Sequence, residues 1–212
     1  MRLERFLLAA LILVSCGDDK KPSEPPTPPE PQIQEVDLGL SVCWADRNAG
    51  AAETDSIGLY VAWGEVKAKE SYTLETYKYY VPLHGAYFME YKPGDLLGAE
   101  DDVASVLYGE GWRTPTKEEW QELVEKCTWT FDEGRSGYTV AGPGGGSIFL
   151  PAAGYRDKTG LDGAGTLGYY WSATLGSGME ENAWAFNFND KQQILTYIDR
   201  YKGFQIRAVR TQ

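Results

Sequence analysis

Gly111-Trp112-Arg113-Thr114-Pro115-Thr116-Lys117-Glu118-Glu119-Trp120 is the stretch from which the rest of the chain is read. Thr116 and Glu119 have capping-box spacing, in which a threonine hydroxyl and a glutamate three residues on serve each other's backbone N–H groups. Behind that cap, Trp120, Leu123, Val124 and Cys127 recur at i, i+3, i+4 and i+7, so the segment is expected to be a helix with one apolar face. Glu118, Glu122 and Glu125 then point outward, and Glu118 and Glu119 sit favourably at the positive end of the helix. Trp112, Trp120 and Trp171 are expected in the core. Arg113 is expected to brace the helix through a carboxylate or backbone carbonyls; anion binding is the other role open to it.

Upstream, Val36 to Ala45 reads as a strand, with Val42 and Trp44 alternating against Ser41 and Cys43. Asp102 to Tyr108 reads as a short helix capped by Asp101 or Asp102. Downstream of Phe131 the character changes, and fourteen of the 24 glycines fall between Gly134 and Gly203. Short strands are expected at Ser147–Leu150, Tyr169–Thr174, Ala183–Phe188, Ile194–Ile198 and Phe204–Val209. Few helices, several short strands and long glycine-rich loops define an α+β class. No internal repeat and no second Pro-rich break appears, so residues 33–212 are expected to form one domain.

The first residues read differently. Arg2 and Arg5 precede an apolar run of nine residues, Phe6 to Val14. That run is well short of the ~20 residues needed to span a bilayer, and suits a signal peptide over residues 1–15. Leu13-Val14-Ser15-Cys16 resembles the lipobox of bacterial lipoproteins, which implies that Cys16 is acylated and that the membrane is a partner through the lipid. Gly17-Asp18-Asp19-Lys20-Lys21 resembles a Bacteroidetes surface-export signal; a solvated charge cluster reads equally well. Six prolines between Pro22 and Pro31 and no large apolar residue indicate extended polyproline II. Fifteen residues, Asp18 to Gln32, then hold the domain ~45 Å from the lipid. Residues 16–32 are thus read as lipidated anchor and tether of an outer-membrane, surface-exposed lipoprotein of the cell envelope.

Composition narrows the classes. In 212 residues there are 20 Lys+Arg against 31 Asp+Glu, for a net charge of −11, which disfavours nucleic acid as a partner. One histidine argues against a His-rich zinc site, and three cysteines against a disulfide scaffold.

Four motifs in order carry a resemblance: Val36-Asp37-Leu38-Gly39-Leu40-Ser41-Val42 with Trp44-Ala45, the Gly111–Trp120 stretch, Phe149-Leu150-Pro151-Ala152-Ala153-Gly154-Tyr155-Arg156, and Gly168-Tyr169-Tyr170-Trp171-Ser172. Together they resemble the Fibrobacter succinogenes major paralogous domain family of Bacteroidetes lipoproteins, in the formylglycine-generating-enzyme-like branch. The resemblance spans about Val36 to Arg210. It implies a single C-type lectin-like domain, often lipid-anchored, whose relatives mostly lack an assigned activity. One departure concerns Cys43, which precedes Trp44 where the family pattern sets a cysteine after it. A Cys43–Cys127 disulfide and two free thiols therefore both remain open.

Catalytic chemistry finds little support. No cysteine follows Cys127, so the paired-cysteine copper oxidation of the parent branch has no counterpart. His84, in Val81-Pro82-Leu83-His84-Gly85, has no Gly-x-Ser-x-Gly elbow with it and reads as a loop residue. Asp101-Asp102, Glu118-Glu119 and Glu180-Glu181 are adjacent pairs, whereas glycosidases need carboxylates facing across a cleft of roughly 5–10 Å. Gly142-Pro143-Gly144-Gly145-Gly146-Ser147 lacks the lysine and following helix of a phosphate cradle and reads as a turn. Trp184-Ala185-Phe186-Asn187-Phe188-Asn189-Asp190 has residue types of a calcium-dependent sugar site without a Glu-Pro-Asn partner. Alternation there puts Trp184, Phe186 and Phe188 opposite Asn187 and Asn189, giving a core tryptophan and solvated turn asparagines.

The resemblance also implies a ligand face on the C-terminal loops and strands. On that analogy Tyr169, Asn182, Asn187, Asn189, Tyr197, Arg200 and Tyr201 are the candidate binding residues. Tyrosine and asparagine offer rigid apolar area with adaptable hydrogen bonds, suited to glycan or protein ligands. The expectation is a non-catalytic binding module without cofactor or metal. A structural or adhesive envelope component is the alternative, and a hydrolase with dispersed residues a weaker one.

Overall fold

The computed structural model describes residues 33–83, 86–89, 96–178 and 181–211. The residues expected to form a signal peptide and tether, with Cys16, and also His84 and Glu180, lie outside the described residues. In chain order the first elements are β1 (Glu35–Val36), β2 (Val42–Ala45), β3 (Tyr80–Leu83), β4 (Ala86–Met89), α1 (Val103–Tyr108), β5 (Trp112–Arg113) and α2 (Lys117–Lys126). Then follow β6 (Thr128–Asp132), β7 (Gly137–Ala141), β8 (Ser147–Pro151), β9 (Tyr155–Asp157), β10 (Gly160–Asp162), β11 (Gly168–Leu175), β12 (Asn182–Phe188), β13 (Gln193–Asp199) and β14 (Val209–Thr211). Among the described residues every ladder between these strands is antiparallel, in small sheets ordered β1-β2-β14-β5, β6-β7-β8 and β11-β12-β13, with hairpins β3-β4 and β9-β10; β11 adds isolated parallel bridges at Gly168 and Tyr170. Two α-helices and many short antiparallel strands among the described residues make this an α+β protein.

Local chemistry places both helices. The Thr116 hydroxyl accepts from Glu119 N and the Glu119 carboxylate from Thr116 N, so the capping box is formed in both directions. Asp102 caps α1 by accepting from Ala104 N, and its other oxygen takes Thr114 N at 2.7 Å. Trp120 and Leu123 are fully buried. The Glu122 side chain is not simply solvated: it accepts from Ser41 N and Ser41 Oγ and ties α2 to the β1–β2 turn.

Two strand readings change. Val36–Ala45 is a hairpin rather than one strand, because the Asp37 carboxylate accepts from Gly39 N and Gly39 turns at φ +74°. All four β2 residues are buried, since β2 lies between β1 and β14. The run from Phe204 to Ala208 is extended but threads between several elements. It bonds in turn to Val61, Trp171, Ala49 and Ala45, and only Val209–Thr211 joins a ladder. The 142–147 turn docks against Leu38, where a Cβ on Gly142 would lie 2.1 Å from Leu38 O. Its glycines serve close backbone approach.

Two apolar clusters lie on either side of the β11-β12-β13 sheet. Tyr170, Phe186 and Phe188 face the first, which holds Trp44, Trp120 and Leu123 and the inner faces of β7 and β8. Trp171, Ala183 and Ala185 face the second, with Trp63, Trp112, Val103 and Phe204. Trp120 stacks on Phe186 at 4.6 Å, and its indole N–H donates to Trp171 O. The three tryptophans expected inside are inside, at 7%, 0% and 0% exposure for Trp112, Trp120 and Trp171. Arg113 braces α2 through a carboxylate, donating to both oxygens of Glu119. No disulfide joins Cys43 to Cys127.

Candidate ligand-binding face

The β12–β13 hairpin is set by its turn. The Asn189 side chain accepts from Lys191 N and Gln192 N, and Asn189 N donates to Gln192 O. This local closure fixes the register from Phe188↔Gln193 to Asn182↔Asp199. Asn189 is therefore a turn-former, as the sequence suggests.

Counting outward from that turn, Trp184 faces Tyr197 and Asn182 faces Asp199 on one side of the sheet. The Trp184 and Tyr197 rings lie 4.1 Å apart at 44°, and the Lys117 ammonium sits 4.7 Å from the Trp184 ring centre. Lys117 is held there because its own N–H donates to Thr174 Oγ1, which joins the first turn of α2 to β11. Trp184 shares the side of Phe186 and Phe188, but α2 covers only the far part of that side. It is half-buried, not the core residue expected, and Tyr197 is 37% exposed.

Beside these rings Asp199 gathers two of the other candidates. Asn182 Nδ2 donates to Asp199 Oδ1 at 3.2 Å, and Tyr201 Oη donates to Asp199 Oδ2 at 3.2 Å. Burial, reinforced by the Asp199 charge, raises the Tyr201 phenol above its ordinary value, so it stays a neutral donor at neutral pH.

The remaining candidates go elsewhere. Tyr169 and Asn187 are register partners on the opposite side. There Tyr169 packs on Tyr155 at 4.8 Å and on Phe204 at 4.9 Å. Burial, then the neighbouring Tyr155, raises its phenol too. Arg200 is not on a surface at all. It is fully buried, its guanidinium between 5.2 and 5.6 Å from the rings of Trp63, Tyr77 and Tyr79. That placement corrects its assignment to the ligand face: just past the end of β13 the chain turns inward beneath the 60–80 segment.

Sequence reasoning missed Trp184, Lys117 and Asp199. Trp184 and Asp199 carried a usable signal, because the Asn189–Gln192 turn alone fixes which residues oppose each other. Lys117 carried none, as it arrives from a distant helix.

Chemically the face offers a half-open aromatic pair, an ammonium, one carboxylate already engaged by an amide and a phenol, and no nucleophile–base pair. Among the described residues no group of three or more His, Cys, Asp or Glu is placed to hold a metal. No protein-family model, no curated protein and no solved structure matches the chain.

Proposed function

We propose that the chain is an exported lipoprotein, acylated at Cys16, whose domain binds a glycan or protein ligand without transforming it. The domain is read as C-type lectin-like, a member of the Fibrobacter succinogenes major paralogous domain family, on the four sequence motifs given above. The observation that carries the binding role is the Trp184–Tyr197 pair, left half-open beside Asn182, Asp199 and Tyr201. Aromatic rings supply apolar area at low entropic cost, and the adjoining carboxylate, amide and phenol supply directional hydrogen bonds.

A glycan and protein array probed with the full chain tests the role. Binding that falls with Trp184→Ala and Tyr201→Ala supports it, and binding indifferent to both removes this face from consideration. Mass spectrometry of the membrane-extracted protein tests the anchor, since an unmodified Cys16 contradicts it. The structural or adhesive alternative draws on α1, where Val106 and Leu107 are 52% and 45% exposed.

A further inference from the structure

A concave feature that shares no residue with the β12–β13 face lies on the outer side of the β6-β7-β8 sheet. Along β7 and β8, Tyr138, Val140, Ile148 and Leu150 point into the core, so Thr139, Ser147 and Phe149 point the other way. The loop after β2, through Asp46 and Thr54, flanks these residues and leaves a half-open cleft of about 250 Å³, with Arg135 also in its wall. That volume is under the ~300 Å³ at which drug-sized sites begin, and suits one small polar unit.

Arg135 is held from three directions. Its Nε donates to Asp132 Oδ2 at 2.7 Å, its Nη2 donates to Thr139 Oγ1 at 3.0 Å, and the guanidinium lies 4.1 Å over the Phe149 ring. Nη1 has no protein partner among the described residues, so it stays open on a side chain that is 45% exposed and oriented by its other contacts. A guanidinium immobilised this way recognises a carboxylate at little further entropic cost.

The buried side of the cavity carries one more guanidinium than carboxylate. Asp46 offers little: both its oxygens are engaged by Arg47, and Oδ1 also accepts from Gln34 N. Arg207 is fully buried beneath the wall, with Nη1 donating to Ala45 O and Nη2 to Phe149 O, while Nε has no partner. On the buried side two guanidinium groups, Arg47 and Arg207, thus face one carboxylate, Asp46. Toward solvent, Asp132 pairs with Arg135 and is the less exposed of the two, at 35% against 45%, and Glu53 is exposed beside Arg47, so preference for an anion rests on the buried surplus and on the open Nη1. An ammonium would find only hydroxyl oxygens as open side-chain acceptors, whereas a carboxylate would find Arg135 Nη1 and sugar hydroxyls would find Thr54, Thr139 and Ser147.

We infer that this cavity binds a small hydroxylated carboxylate, a hexuronate unit, with its carboxylate on Arg135 and its hydroxyls on Thr139, Ser147 and Thr54. The inference does not rest on the aromatic face. Isothermal titration calorimetry of the detergent-solubilised full chain with sodium D-galacturonate tests it, D-galactose being the uncharged control. A galacturonate-terminated oligosaccharide distinguishes a free acid from a glycan end. Galacturonate should bind about ten-fold or more tightly than galactose, and Arg135→Gln should lose about that factor. Ser147→Ala should lose about three-fold, with melting unchanged, and serves if Arg135→Gln fails to fold. Equal affinity for acid and neutral sugar overturns the inference. So does no binding of galacturonate, or unchanged binding in a folded Arg135→Gln or Ser147→Ala chain.

Discussion

Arg113 and Glu119 form a two-pronged pair, Nη1 to Oε2 at 2.7 Å and Nη2 to Oε1 at 2.5 Å, while Oε2 also accepts from Thr116 N. One carboxylate thus completes the cap of α2 and pins the helix start to β5. Because Arg113 is about one-third exposed, the ion pair itself contributes little, and most of the effect is the cap. Glu119→Ala should cost about 1 kcal/mol, mostly the lost cap with a small share from the ion pair. Urea unfolding measures it; a loss below a few tenths contradicts the double role.

The same pair sets an acid limb. Burial opposes the Glu119 charge, but hydrogen bonds from Arg113 and Thr116 outweigh it and hold the carboxyl below its usual range. For Asp46, burial is likewise overridden by Arg47 and Gln34 N. A carboxyl depressed on folding contributes stability that is present above its unfolded value and lost as pH falls through its folded one. Stability should therefore decline as pH drops through and below the ordinary carboxylate range, and Glu119→Gln should flatten that decline. A pH series of melting temperatures for both proteins checks this.

The absence of a Cys43–Cys127 disulfide predicts a redox-insensitive domain. Burial, then the Glu122 charge, pushes the Cys127 thiol up, and Cys43 is buried. Dithiothreitol should leave the melting temperature unchanged. Both thiols should react with an aromatic disulfide reagent far more slowly in the native protein than in urea, since the thiolate is the reactive form.

Trp120 and Trp184 should part company under mutation. Trp120→Ala removes the ring shared by Trp44 and Phe186 and should cost ~3–5 kcal/mol. Trp184→Ala, at a half-open position, should cost about 1 kcal/mol. Chemical denaturation of the two variants checks the contrast, and comparable losses would place Trp184 in the core after all.

How much of this was legible follows the range of the interactions involved. The capping box at Thr116 and Glu119, the Asp102 cap and the Asn189 turn are closed within three residues of sequence, and each reads directly. Alternation correctly put Trp184 on the side of Phe186, but period alone does not say how far α2 extends over that side. Arg200 looked like a surface cation because its burial depends on Trp63, Tyr77 and Tyr79, more than a hundred residues away. Val36–Ala45 misread because the Asp37–Gly39 turn is short enough to pass for strand. The Ala45–Phe149–Arg207 arrangement has no sequence signature at all, since three distant segments meet there.

The most direct test of the central claim is the affinity of the full chain and its Trp184→Ala and Tyr197→Ala variants for a ligand captured on the array, with ligand mass recorded before and after incubation. The account predicts affinity reduced by about ten-fold or more in each variant, folding retained, and ligand recovered intact. Affinity unchanged in both variants, or ligand recovered as a cleaved or oxidised product, would contradict it.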